Sequence, residues 1–191
     1  MKGEFNGLQR LIQNENSTAF YVYCFAHQLQ LTLFAVAKDN KLIAAFFDSV
    51  SMVLNVVGGS CKRHDMLQNI QAAKVVDALD LGELESGQGL NQKTSLKRPG
   101  DTRWGSHFDT LINLRLMFSS VVDVLEIISD DNTSEHKGSA TNLLSVLNDF
   151  DFAFKMQLMR DILGITNALS KLLQRKDKNI ITAMELVRVS K

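Results

Sequence analysis

The feature that most limits the fold of this chain is its near-absence of proline. Among 191 residues there is one, Pro99, and a proline in a helix interior costs roughly 3 kcal/mol relative to alanine. Long stretches without proline therefore favour helices on both sides of position 99. Apolar residues make up 45% of the chain, which is enough to bury the core of one substantial domain.

Apolar residues recur at three- and four-residue intervals through most of the chain, as is typical of amphipathic helices. We expect the most apolar helix to be buried and to end at Gly58 and Gly59. Ser60 and Asp101 are expected to cap the helices that follow them. The predicted helices cover residues 5–14, 27 onward, 42–57, 60–80 and 101–129, with two or three more beyond residue 140.

One short stretch has the composition of a strand. Residues 18–25 (TAFYVYCF) are mainly β-branched and aromatic, whereas a strand is stable only beside other strands. Residues 81–100 are rich in glycine and polar side chains and predict a long loop, which is either functional or mobile. Residues 130–139 predict a second, solvated loop. The sequence thus predicts a mainly α protein with a single strand.

The charge balance limits the classes of partner. Lysine and arginine number 21, as do aspartate and glutamate, so nucleic acid could be bound only through a local basic patch. Two cysteines do not make a disulfide scaffold, which favours a reducing, intracellular location. No uninterrupted apolar run reaches the length of a membrane span, and residues 1–10 show no secretory signal. We expect no membrane partner.

Two Cys-x-x-His pairs, Cys24 with His27 and Cys61 with His64, are candidates for metal binding or catalysis. Together they have the ligand types of a tetrahedral zinc site, but their order is not that of a zinc finger. A cysteine nucleophile with a histidine base would also need an orienting group and an oxyanion site. Buried packing residues are the expectation that the sequence favours, and no metal ligand is assigned.

Residues 91–104 (NQKTSLKRPGDTRW) carry four cations against one acid, Asp101, in an otherwise neutral chain. Lys93, Lys97, Arg98 and Arg103 precede Trp104, which would combine phosphate attraction with a stacking platform. A solvated loop followed by a tryptophan in the core is the alternative, and spacing alone favours it. No phosphate-binding glycine loop and no catalytic constellation is apparent, so we expect no small-molecule substrate.

Three stretches resemble the hAT superfamily of DNA transposases, most closely its plant-type, transposon-derived zinc finger MYM-type protein 1-like group. They are KGEFNGLQRLI, YVYCFAHQLQLTLFAVAK and RPGDTRWGSHFDTLINL. The resemblance extends over essentially the whole chain. It implies an RNase H-like core interrupted by an all-helical insertion domain. Residues 1–26 would be the last part of a truncated core, contributing one edge strand, and residues 27–191 an incomplete insertion domain.

The resemblance also implies a chemistry and a location. Family members cleave and join DNA with three carboxylates that hold two divalent ions, Mg²⁺ or Mn²⁺, and none of these carboxylates can be assigned to a residue of this chain. Cys24 and His27 match an architectural motif beside the family's active site. Arg103 and Trp104 match an Arg-Trp motif whose tryptophan stacks on a displaced base.

These observations predict an inactive, nuclear, transposase-like fragment that needs no cofactor of its own. It would bind DNA through Lys93, Lys97, Arg98, Arg103 and Trp104. The alternative is a helical interaction module that pairs with a second copy or another protein through exposed apolar faces and does not bind nucleic acid.

Overall fold

The computed structural model describes residues 7–20, 23–84, 94–100, 104–175 and 180–189, and this part of the chain is predominantly helical. The helices are α1 (Leu8–Glu15), α2 (Phe25–Asp39), α3 (Lys41–Gly58), α4 (Cys61–Asp80), α5 (Trp104–Leu116), α6 (Phe118–Asp130), α7 (Lys137–Leu147), α8 (Phe150–Leu173) and α9 (Ile180–Val189). The prediction of a mainly α fold is confirmed.

One apolar core joins helices α3 to α8. α6 packs on α4 and α7, α5 packs on α8, and α2 packs on α3 and α8. Fully buried side chains from several helices meet at its centre: Val53, Val57, Leu67, Val121 and Leu143. Because these helices bury their apolar stripes against one another, the two Cys-x-x-His pairs and the basic segment are carried on their ends and connections.

The helix predicted over 42–57 is α3, and it is the most apolar helix of the core. The Asn40 side chain caps it by accepting hydrogen bonds from the backbone N–H groups of Leu42 and Ile43. By length and composition alone, α3 could also cross a membrane, although the sequence shows no uninterrupted apolar run because Lys41 and Asp48 interrupt it. A third of α3 is buried inside the protein.

The single helix predicted over residues 101–129 is wrong in its middle. The chain forms two helices, α5 and α6, that meet at Met117, whose backbone leaves the helical region (φ −104°, ψ 11°). Neither proline nor glycine marks the break. Its physical cause is tertiary: α5 packs on α8, whereas α6 packs on α4 and α7, and the fully buried Met117 side chain lies at the junction. Asp101, the predicted cap, is outside the described residues.

The strand predicted over residues 18–25 is not formed by the part of this stretch that the structure describes. Thr18 belongs to a turn in which its N–H donates to Asn16 Oδ1 at 3.0 Å. Cys24 is extended (φ −63°, ψ 155°), and Phe25 already begins α2. A β-rich composition becomes a strand only when a neighbouring strand pairs with its backbone, and the described residues supply none.

The long loop predicted from residue 81 begins where expected. α4 ends in a Schellman motif: Gly82 adopts a left-handed conformation (φ +73°), the Glu83 N–H donates to Ala78 O, and the Gly82 N–H donates to Leu79 O. Glycine adopts this conformation without the steric cost that a side chain brings. Ser60 precedes α4 as predicted, but its side chain makes no capping hydrogen bond.

The remaining helix ends differ modestly from the sequence prediction. α7 begins at Lys137, inside the segment predicted as a loop, because the chain already turns through residues 131–136. α1 lies within the predicted amphipathic stretch, but none of its residues is buried. Its apolar side chains, Leu8, Leu11 and Ile12, are about half exposed.

Candidate nucleic-acid interface

The basic segment before α5 has a defined backbone. The Thr110 hydroxyl on α5 donates a hydrogen bond to Lys97 O at 3.1 Å, and the Gly100 N–H donates to Ser106 Oγ at 2.9 Å. These two bonds hold the backbone on either side of Arg98. The side chains of Lys97 and Arg98 are exposed, so two cations stand in solvent on a fixed stretch of chain.

The start of the same segment is held between α4 and α5. The side-chain amide of the buried Gln68 donates a hydrogen bond to Thr94 O at 2.9 Å. Asn113 Nδ2 donates to Ser95 O at 3.3 Å. Leu96 packs against the hydrophobic core. Residues 94–100 are therefore an ordered connection, and this part of the predicted loop is held against α4 and α5.

The other residues predicted to contact nucleic acid are placed only in part. The backbone of Trp104 begins α5, four residues beyond the ordered segment. Its side chain, together with Arg103 and Lys93, lies outside the described residues. The structure thus places Lys97 and Arg98 beside the helix that begins at Trp104.

The Cys24-x-x-His27 motif forms the N-terminus of α2. Cys24 is the N-cap residue, with an exposed side chain, and its carbonyl accepts the first helical hydrogen bond from the Gln28 N–H at 3.0 Å. The half-buried His27 ring lies against the Tyr23 ring, with a centroid separation of 4.5 Å. The expectation of two buried packing residues is wrong for Cys24, which is exposed. It holds only in part for His27, which is half-buried.

The second pair, Cys61 and His64, occupies the first turn of α4, and Cys61 is also exposed. Across the described ranges, no three histidine, cysteine, aspartate or glutamate side chains lie close enough to share a metal ion. The fold therefore does not assemble the two-cysteine, two-histidine zinc site that the sequence left open.

The Cys24–His27 motif shares one cavity with the residues that begin α5 after Trp104. It has a volume of about 730 Å³, and its wall includes Cys24 and His27 from α2 and Gly105 and Ser106, the two residues that follow Trp104. Gly105 allows this approach: a Cβ at that position would lie 3.1 Å from the side-chain oxygen of Asn167 on α8. Segments about 80 positions apart in the chain, the start of α2 and the start of α5, thus share a surface.

Sequence reasoning missed the polar residues of α8 on this cavity, which are Asn167, Ser170 and Gln174. Ser170 is buried and accepts a hydrogen bond from Gln174 Nε2 at 3.1 Å. Their spacing of three and four residues was the available signal, because it places the three side chains on one face of the helix. With Gln30 and Asp109, they offer donors and acceptors but no positive charge.

Two exposed carboxyl groups have perturbed pKa values, and neither lines this cavity. Hydrogen bonds from Thr133 lower the pKa of Asp131, and a hydrogen bond from the Arg160 guanidinium lowers the pKa of Asp161. Both stabilise the ionised form. These shifts accompany a turn and a surface ion pair and give no support to acid–base chemistry at the cavity.

No model of a known protein family matches the chain, and no solved structure matches it.

Proposed function

We propose that this chain is a transposase-like protein of the hAT type that binds DNA and does not cleave it. The observation that supports the proposal is the convergence described above. The exposed cations Lys97 and Arg98 are held at the start of α5, and the Cys24–His27 motif lies on the cavity beside that start. In the family, the Cys-x-x-His motif lies beside the active site.

Binding follows from the charge and shape of this region. Lys97 and Arg98 neutralise backbone phosphates, and Arg103 and Lys93 extend the same positive stretch of sequence. The net charge of the chain is zero, so the attraction is local and falls as salt rises, through the loss of counterion release. Trp104 adds a stacking surface for an unpaired base.

The experiment is a titration of hairpin and single-stranded DNA at several salt concentrations. We expect Arg103→Ala combined with Trp104→Ala to weaken binding about tenfold or more, and Lys97→Ala combined with Arg98→Ala to lower the slope of log affinity against log salt. Lys62→Ala with Lys171→Ala removes two exposed lysines elsewhere and serves as the matched control. Affinities equal to the parent chain's in all three variants would contradict binding through these residues, and no binding by the parent chain would contradict DNA binding itself.

The proposed lack of cleavage has its own test. The family's catalysis uses Mg²⁺ or Mn²⁺ held by three carboxylates, and no residue here matches one of them. We expect supercoiled plasmid to remain uncut when the protein is added with either ion. Nicking that disappears with a chelator would contradict the proposal. The same resemblance leads us to propose a nuclear location and a residual RNase H-like edge within residues 1–26.

A second candidate function, protein interaction through α8, rests on a separate observation. α8 buries Phe152, Met159 and Leu163 on one side, while its opposite side carries a second apolar stripe in solvent. The exposed fractions on that stripe reach 80% at Phe150 and 54% at Phe154. The stripe consists of Phe150, Phe154, Leu158, Ile165 and Leu172. Exposed apolar stripes of this length mark interaction surfaces in soluble proteins.

Light scattering over a concentration series tests this candidate. If the stripe mediates self-association, Phe150→Ser with Phe154→Ser yields a monomer where the parent chain is a dimer. Val76→Ser, at a similarly exposed apolar position on α4, leaves the mass unchanged. A monomeric parent chain at all concentrations would contradict self-association, and unchanged DNA affinity in the double variant separates this function from the first.

A further inference from the structure

We propose that a groove between α2, α3 and the basic segment is a binding site for one unpaired nucleotide of a single-stranded nucleic acid. This inference rests on the proposed DNA binding and adds a site that lies apart from the Arg-Trp motif. The groove has a volume of about 640 Å³, within the range of small-ligand pockets. Phe34, Phe47, Arg98, Pro99 and Lys38 contribute to its lining.

The aromatic wall of the groove is anchored to the core. Phe47 contacts Phe46, with ring centroids 5.1 Å apart, and Phe46 in turn contacts the buried Phe152 at 5.2 Å. On the groove side, Phe47 meets the His107 ring edge-to-face at 5.1 Å. Four rings in contact leave little freedom to Phe47 and His107, so this side of the groove is ordered before a ligand binds.

The positive charges of the groove come from two elements that the fold brings together. Lys38 lies in the last turn of α2, and Arg98 lies on the segment held by Thr110 and Ser106. The side chains of Lys38 and Arg98 are both exposed. Asp48 is also part of the lining, and the two cations outweigh it. An anionic group is therefore favoured at the mouth.

An apolar, aromatic-walled groove with cations at its mouth suits a ligand that has a flat apolar part and an adjoining anion. A nucleotide has both: the base would stack against Phe34, which is 47% exposed, while its phosphate meets Arg98 and Lys38. Base–aromatic stacking combined with a positive backbone track is the general mode of single-strand binding. A base paired in a duplex cannot enter, so single strands are preferred.

The test measures the affinity of the whole chain for a fluorescein-labelled 20-nucleotide oligothymidylate and for a duplex of the same length. We expect Phe34→Ala to weaken single-strand binding about tenfold and duplex binding little. Lys38→Ala lowers the single-strand salt slope by about 0.7, the value for one lost phosphate contact. Phe20→Ala and Lys62→Ala, which remove an exposed phenylalanine that precedes α2 and an exposed lysine from α4, are the matched controls and match the parent chain.

Photocrosslinking with 5-iododeoxyuridine locates the bound base, and we expect the crosslinked peptide to contain Phe34, Phe47 or His107. If Phe34→Ala behaves like Phe20→Ala while Arg103→Ala with Trp104→Ala still weakens binding, the groove inference is wrong and the proposed function stands. If the parent chain binds no oligonucleotide, both are wrong. If an acidic amphipathic peptide enters the groove and oligothymidylate does not displace it, the groove is a peptide site and the inference is overturned.

Discussion

Helices α1 and α6 have similar sequence patterns and opposite fates in the fold. α6 buries five of its thirteen residues, among them Val121 and Leu125, against α4 and α7. α1 carries Leu8, Leu11 and Ile12 at the same helical spacing, and none of its eight residues is buried. A periodic apolar stripe thus predicts an amphipathic helix, but it does not show whether another part of the chain buries the apolar face.

The difference teaches where stability resides. A helix of eight residues is too short to be stable in water by propensity alone, so its stability depends on packing. α6 receives that packing from its neighbours, and α1 leaves its apolar face open to solvent. We therefore expect mutations in the packed part, comprising α3 to α8, to be costly and equivalent mutations in α1 to be nearly neutral.

The largest expected effect compares the same substitution in both helices. Leu125→Ala should lower the free energy of unfolding by about 2–5 kcal/mol, because it opens a cavity in a fully buried site. Leu11→Ala, at a position 50% exposed, should change it by less than about 0.5 kcal/mol. Urea unfolding measures both. Equal losses would break the comparison and show that α1 is covered in solution, by a second copy or by another part of the chain.

A smaller effect sharpens the comparison at the end of α4, within the packed part. Gly82→Ala should cost about 1–2 kcal/mol, because alanine is disfavoured in the left-handed conformation. Gly138→Ala in α7 is the matched control: a Cβ there meets no atom within 4 Å, so the helix should gain about 0.4–1 kcal/mol. Thermal unfolding distinguishes the opposite signs. A stabilising Gly82→Ala would mean that the Schellman turn is absent in solution.

The next prediction compares two N-cap residues, Asn40 before α3 and Ser60 before α4. Only Asn40 makes side-chain capping hydrogen bonds. Asn40→Ala should cost about 1 kcal/mol, since its side chain caps the core helix α3. Ser60→Ala should change stability by only a few tenths of a kcal/mol, because Ser60 makes no capping bond. Chemical unfolding of the two variants checks the ranking. A larger loss at Ser60 would contradict the cap geometry of α4.

The smallest effect concerns pH and a turn outside the core. Hydrogen bonds from Thr133 lower the pKa of Asp131, so this carboxylate adds stability above its unfolded pKa and loses it as pH falls through the lower folded value. Thr133→Val removes the hydroxyl bond, and the pKa of Asp131 should then rise toward its ordinary value. NMR titration of the side chain measures this, with Asp161, held by Arg160, as the unchanged control. An unmoved Asp131 pKa would contradict the turn geometry.

The sequence predicted the helices well where a local signal marked them. The stop at Gly58 and Gly59 and the end of α4 were both apparent from glycine placement and apolar period. The break at Met117 was missed because no local residue marks it. The strand over residues 18–25 was predicted from composition, and the described part forms none, because strand pairing is not a local property.

The candidate interface was likewise half visible in the sequence. Cys24, His27, Lys97 and Arg98 were singled out by residue type. Their surroundings were not: the polar face of α8 and the aromatic wall at Phe47 come from helices far away in the chain. No pattern within a few residues reports on such distant partners.

By itself, the sequence determined that this chain is helical and where most helices lie. It also determined that a run of four cations precedes α5. These properties depend on neighbours along the chain. The tertiary structure decided which apolar stripes are buried and which remain open. It also decided that Lys97 and Arg98 are held on an ordered backbone beside an aromatic groove. Burial and site geometry depend on contacts between distant segments, and these form only when the helices pack.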